Sequence, residues 1–135
     1  MNQKTFKFKK YGKNHPLSLT LGHYNNGTLA IRLITWEEGY PEPYANLTVN
    51  LGFDNDKYIA FLDNENLGEE ITKTLIDNNF GEPTGRGCET TYATFVEFKF
   101  NPETLKQYDE EGVEEYDAYF DAYKMSLELL AKKGE

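Results

Sequence analysis

A regular alternation of apolar and polar side chains is the feature that most constrains the fold of this chain. It runs through residues 5–10, 17–21, 29–33 and 45–51, and again through the longer stretch 92–100. A period of two buries one face of a β-strand and leaves the other in solvent. With a short apolar run at 58–62, the pattern predicts about six strands.

The turn residues between these runs predict how the strands connect. Asn26 and Gly27 separate two alternating runs, which is the strongest short-range signal for a β-hairpin. A loop is predicted at residues 37–43, where two prolines and a glycine interrupt the alternation. Short connections between successive strands favour an antiparallel meander.

One helix is predicted between strands five and six. Asn66 is its predicted N-cap, with Glu69 three residues later, and Gly81 its predicted stop. Residues 82–89 are rich in glycine and predict a loop. The expected fold is therefore an α+β domain spanning residues 1–135, with an antiparallel sheet of about six strands.

A helical tail is predicted over residues 102–133, with Pro102 at its first position and a bend at Gly112. Apolar side chains recur along it at steps of three and four: Val113, Tyr116, Phe120, Tyr123, Leu127 and Leu130. This stripe predicts packing on the sheet, and a dimer seam is the alternative.

Charge limits the classes of partner. The 135 residues hold 14 basic and 23 acidic side chains, a formal net charge of −9. Such a chain repels nucleic acid and anionic membranes. No apolar run is long enough to span a membrane and no secretory signal is recognisable, so we expect a cytoplasmic protein.

Few residues offer catalytic or metal-binding chemistry. His15 and His23 lack the spacing and partners of a zinc site, and Cys88 is the single cysteine. The glycine-rich stretch 81–87 follows a predicted helix and enters a strand, the reverse of a phosphate-binding loop. We therefore expect no enzyme, no metal and no cofactor.

An acidic stripe on the tail is the main candidate site. At 100° per residue, five acids fall within about 60° of one another: Glu110, Glu114, Asp117, Asp121 and Glu128. This face should point to solvent, either as a solubilising surface or as a surface for a basic partner. Glu37, Glu38 and Glu42 are candidate additions to that surface.

Several motifs between Asn26 and Phe100 resemble a known family. They are Gly27-Thr28-Leu29-Ala30-Ile31, Trp36-Glu37-Glu38-Gly39, Pro43 to Leu51 (PYANLTVNL) and Pro83-Thr84-Gly85. The chain resembles a family of small proteins, a domain of unknown function, found on bacterial conjugative transposons and prophages. That resemblance implies a setting in which small acidic proteins block host defence nucleases, as anti-CRISPR and anti-restriction proteins do. It implies nothing about the tail.

Three functions remain open. The first is a non-enzymatic inhibitor that places acidic residues on the basic channel of a host DNA-processing protein, such as an RNA-guided nuclease. The second is a module that binds a small ligand such as a nucleotide signal through Arg86, with Trp36 as a stacking platform. The third is a structural or regulatory protein of the mobile element itself.

Overall fold

The computed structural model describes residues 4–53 and 55–133 of the chain. Two four-stranded antiparallel sheets and three helices make up this part. In chain order the elements are β1 (Phe6–Lys10), β2 (Lys13–His23), β3 (Leu29–Thr35), β4 (Glu42–Asn46), β5 (Thr48–Val49), β6 (Ile59–Leu62), α1 (Asn64–Leu67), α2 (Glu70–Asp77), β7 (Gly81–Glu89), β8 (Thr94–Phe100) and α3 (Pro102–Lys133). The α+β class is confirmed, with eight strands in place of about six.

Sheet A is the predicted meander, with strand order β1-β2-β3-β4. The predicted hairpin joins β2 to β3, with Leu19 opposite Leu33. Its turn closes with the Tyr24 N–H donating to the Thr28 carbonyl at 2.8 Å. Gly27 has a φ of +83°, a conformation that favours glycine.

The run at residues 45–51 is not one strand. It divides into β4 and β5, which belong to different sheets, and β4 begins inside the predicted loop 37–43. Leu47 and Thr48 are both buried, so the alternation stops where the chain crosses between the sheets. The Thr48 hydroxyl accepts from the Ile31 N–H and donates to the Leu29 carbonyl, both at 3.0 Å.

Sheet B has the order β5-β6-β8-β7 and contains a strand that was predicted as a loop. Residues 81–89 form β7, the edge strand beside β8, with an irregular register between Pro83 and Gly87. An edge strand needs hydrogen bonds on one side only, so it tolerates proline, glycine and bulges. The loop prediction was wrong for that reason.

The helix before β7 also starts differently from the prediction. Asp63 caps α1 by accepting from the Asn66 N–H, so Asn66 lies inside a helix and is not its cap. Gly68, with φ +85°, separates α1 from α2. The α2 helix ends at Asp77, so Gly81 starts a strand and does not stop the helix.

The tail is helical from Pro102, as predicted, but its break lies at Asp109 and not at Gly112. Asp109 has φ −152° and ψ 78°, and its Oδ1 accepts from the Gly112 N–H at 3.0 Å. It therefore caps the helical segment that follows it.

The inner faces of both sheets, α2 and the first part of α3 share one hydrophobic core. Val113, Tyr116 and Phe120 of α3 are at most 6% exposed, and α3 lies along β2. The apolar stripe then leaves the core: Leu127 is 36% exposed and Leu130 is 66% exposed. The predicted packing of the helix on the sheet is confirmed for the part that ends at Phe120.

Candidate functional site

The acidic face of α3 is exposed over most of its length. Glu110, Glu114 and Glu128 lie in solvent and make no ion pair or hydrogen bond within the described part of the chain. Glu111 and Glu115 are exposed beside them and are equally free of such contacts in residues 4–53 and 55–133. Like charges three or four residues apart destabilise a helix by about 0.2–0.5 kcal/mol per pair. No lysine or arginine of the described residues neutralises these five carboxylates.

Asp117 and Asp121, in contrast, hold α3 against the connection between β5 and β6. Lys57 lies between them, with its Nζ 3.3 Å from Asp117 and 3.2 Å from Asp121. The Tyr58 hydroxyl donates to Asp117. These two acids therefore serve first as an anchor for the helix.

The anchor changes the acid–base behaviour of its members. Burial raises the pKa of Tyr58, and the hydrogen bond to Asp117 raises it further. Tyr116 joins this group because its hydroxyl accepts from the Tyr58 N–H at 3.3 Å, and burial raises the pKa of Tyr116 to about 12. Burial alone would lower the pKa of Lys57, but its hydrogen bonds to Asp121 and Asp117 outweigh that effect and raise it.

The second acidic group lies at the far end of sheet A. Glu37 bonds to His15 and lies 3.7 Å from Lys13, while Glu38 is exposed and Glu42 is half-buried at the start of β4. The hydrogen bond from His15 lowers the pKa of Glu37, burial opposes that change, and Lys13 adds to it.

The two acidic groups do not form one surface. Tyr119 of α3 donates to the Tyr24 carbonyl and stacks on His23, at the hairpin end of β2. His15, which bonds to Glu37, is eight residues back along the same strand, about 25 Å at ~3.3 Å per residue.

Arg86 and Trp36, the predicted ligand-binding pair, lie on different sheets. Arg86 is on β7, and its Nε lies 3.2 Å from Oε1 of Glu97, a carboxylate that also accepts from the Thr84 hydroxyl at 2.8 Å. Trp36 follows β3 and is half-buried, and its buried Nε1 has no hydrogen-bond partner among the residues described. Arg86 is therefore already engaged by a carboxylate of the protein.

A cleft on the outer face of sheet A was missed by the sequence analysis. It has a volume of about 390 Å³ and is lined in part by Thr20, Gly22, Arg32 and Asn46. Arg32 is exposed on β3, opposite Thr20 of β2 and Asn46 of β4, and makes no ion pair or hydrogen bond in the described residues. Its place between buried Ile31 and Leu33 was the available signal, because the period of two puts it on the outer face.

In residues 4–53 and 55–133, no group of three or more His, Cys, Asp and Glu side chains is arranged to hold a metal ion. None of the helices described is both long and apolar enough to cross a membrane.

Residues 18–120 match the model of a protein family described as Domain of unknown function (DUF4313). This match covers most of the chain. The chain belongs to the DUF4313 family. No curated protein and no solved structure gives a significant match.

The DUF4313 match ends at a structural boundary. Phe120 is its last residue, and Phe120 is also the last buried residue of α3 within the described part. The match begins inside β2, at Ser18, and takes in β3 to β8, the Lys57 side of the anchor, Asp117, and the unpaired acids Glu110 and Glu114. The last part of α3, residues 121–133, lies outside the match.

Proposed function

We propose that this protein is a non-enzymatic binding domain that uses the acidic face of α3 to occupy a basic surface on another protein. The observation that carries this proposal is the set of unpaired, solvent-exposed carboxylates at Glu110, Glu111, Glu114 and Glu115. They repel one another in the isolated chain, and a surface of lysine and arginine side chains would relieve that repulsion.

The anchor supports the same proposal by holding the helix in place. Lys57 and Tyr58 engage Asp117 and Asp121, so the neighbouring free carboxylates are presented on a helix whose position is set by the core. A preorganised surface loses less conformational entropy on binding than a flexible acidic tail does.

The partner class follows from charge and from the family's proposed setting on mobile elements. A protein of net charge −9 is repelled by nucleic acid and suited to a channel that normally holds it. We place this partner among host DNA-processing defence proteins, with an RNA-guided nuclease as the leading example. The protein would act in the cytoplasm, where such nucleases meet DNA.

The test is a competition assay in which the protein displaces DNA from a purified RNA-guided nuclease. The informative variant is Glu110→Lys with Glu114→Lys, because neither side chain contributes to the anchor. A matched control is Glu69→Lys with Glu82→Lys, two exposed acids that lie outside α3 and its acidic face. Both variants change the net charge by four, from −9 to −5.

We expect the α3 variant to lose displacement and the control to keep most of it. Displacement should also weaken as salt rises, since exposed charge pairs are screened. If both variants lose displacement equally, net charge alone explains the effect. If both keep displacement equally, this face is not the binding surface.

A second candidate function is the binding of a small anion at Arg32. The observation that favours it is an unpaired guanidinium in a cleft with the Thr20 hydroxyl and the Asn46 amide beside it. Guanidinium groups bind carboxylate and phosphate through paired hydrogen bonds. Glu42 lines the adjoining depression on this face, and its carboxylate would repel a second anionic group of a larger ligand.

Titration calorimetry with phosphate, small carboxylates and nucleoside monophosphates tests this candidate. Arg32→Gln should abolish any binding, whereas Arg86→Gln should leave it intact, because Arg86 already pairs with Glu97. Binding that survives Arg32→Gln would place the ligand elsewhere.

A further inference from the structure

The outward face of α3 carries a second apolar stripe that the sequence analysis did not identify. Ala118, Ala122, Met125 and Leu129 follow one another at steps of four, three and four, and fall within about 60° around the helix. All four are exposed, Met125 at 63% and Leu129 at 54%. This stripe points away from the core that Val113, Tyr116 and Phe120 enter.

A spacing of four and three is the pattern of residues that face a partner helix in a coiled coil. The same spacing continues one step at each end, to Glu115 on one side and to Lys132 on the other. The stripe is thus a short apolar seam with an acid at one end and a base at the other. Its charges are complementary to those of a second copy of itself, running in the opposite direction.

We propose that two copies of this chain associate through this seam, with their α3 helices antiparallel. In that arrangement Ala122 of each copy faces Met125 of the other, and Ala118 faces Leu129. The small alanines face the long side chains, which lets the two helices approach closely. Glu115 of each copy then meets Lys132 of the other, so both ends of the seam close with an opposite-charge pair.

Other arrangements of the same seam are disfavoured by charge. A parallel pair would place Glu115 beside Glu115 and Lys132 beside Lys132. Sliding the antiparallel pair by one heptad in either direction places Glu115 against Met125, or Lys132 against Ala122. Each alternative either opposes like charges or sets a charge against an apolar side chain.

Glu115 is the one carboxylate that this seam shares with the proposed partner surface, and Glu110, Glu111 and Glu114 are not used by the dimer. The seam is centred about 80° around the helix from the stripe that includes Glu110 and Asp117. The free carboxylates at 110 and 111 lie beyond the end of the seam. A dimer would therefore present two acidic surfaces at once, which raises avidity for a partner with two basic sites.

The first test is the molar mass of the full chain, measured by sedimentation equilibrium over a range of concentrations. We expect a reversible transition from 15.6 kDa to twice that mass, weakened by raised salt. A mass of 15.6 kDa at every concentration would overturn the proposal.

Two substitutions locate the seam. Leu129→Glu should abolish the dimer because it places a carboxylate in the apolar contact with Ala118 of the other copy. Leu130→Glu is the matched control, since Leu130 is 66% exposed but lies about 100° away around the helix. If only Leu130→Glu abolished the dimer, the interface would lie on the stripe that contains Leu127 and Leu130, and the proposed seam would be wrong.

Disulfide trapping decides the orientation, in chains where Cys88→Ser removes the native thiol. Chains with Ala118→Cys should crosslink to chains with Leu129→Cys, and neither should crosslink to its own kind. Two Ala118 positions lie roughly 16 Å apart along an antiparallel pair at 1.5 Å per residue, beyond disulfide reach. Crosslinking of Ala118→Cys with itself would show a parallel pair and overturn the register.

Discussion

The carboxylate of Asp109 accepts a hydrogen bond from the backbone N–H of Leu21 at 2.9 Å, joining the break in α3 to β2. Its other oxygen caps the following helical segment at Gly112. β1 pairs with β2 only as far as Leu17, so the edge of β2 at Leu21 needs another partner. One side chain thus accepts hydrogen bonds from a backbone N–H at the sheet edge and from another at the helix end. These two bonds fix how the acidic face of α3 lies on the sheet.

Replacing Asp109 should therefore lower the free energy of unfolding by more than the loss of an ordinary helix cap does. Asp109→Ala loses the cap, worth about 0.5–2 kcal/mol, and leaves the Leu21 N–H without its acceptor. We expect the free energy of unfolding to fall by about 2–3 kcal/mol in urea titrations. Glu110→Ala, one residue on and exposed, should change it by less than about 0.5 kcal/mol. Equal effects would show that the carboxylate is not the cause.

Gly112 should not tolerate alanine, although alanine normally stabilises a helix. A Cβ at Gly112 would lie 2.1 Å from the Asp109 carboxylate, which would have to leave its capping position. We expect Gly112→Ala to lower the free energy of unfolding by about 1–2 kcal/mol, through loss of the cap. Gly22→Ala is the control, because no atom lies within 4 Å of its Cβ position. Thermal unfolding of both variants measures the difference.

Thr48 should be required for the join between the two sheets. Its hydroxyl is buried and bonds both the Ile31 N–H and the Leu29 carbonyl. Thr48→Val keeps the side-chain volume but removes the hydrogen-bond partner of both backbone groups. We therefore expect the free energy of unfolding to fall by about 2 kcal/mol. Hydrogen exchange at the Ile31 amide should accelerate in the variant. An unchanged exchange rate would mean that water replaces the hydroxyl.

Stability should fall at alkaline pH because of the anchor. The pKa values of Tyr58, Tyr116 and Lys57 are raised in the folded protein, so the folded state keeps protons that the unfolded state releases. Their contribution is fully present below about pH 10 and is lost as pH rises above it.

Urea titrations across that range should give a free energy of unfolding that declines with pH, and Tyr58→Phe should decline less steeply. A curve that is level above pH ~10 would show that these groups titrate alike in both states. Neutral salt serves as the control for simple screening, which acts at all pH values.

Much of the fold follows from local pattern. The period of two predicted β1, β2, β3 and β8, and the Asn26-Gly27 pair predicted the hairpin, because alternation and turn chemistry act over neighbouring residues. Pro102 marked the start of α3 for the same reason. The core-facing side chains Val113, Tyr116 and Phe120 of that helix could be assigned by angle alone.

Tertiary structure decided the rest of the fold, at positions where a residue contacts a partner that is distant in the sequence. The glycine-rich residues 81–89 form a strand because they pair with the edge of β8. Residues 45–51 form two short strands because the chain crosses from one sheet to the other at the buried residues Leu47 and Thr48. Long-range contacts also separated the acids: Lys57 and Tyr58 engage Asp117 and Asp121, while Glu110 and Glu114 stay free. The hydrophobic period is set by neighbouring residues, but hydrogen-bond partners here lie as far as 103 positions apart, as Lys4 and Gln107 do. Leu21 and Asp109 are 88 positions apart.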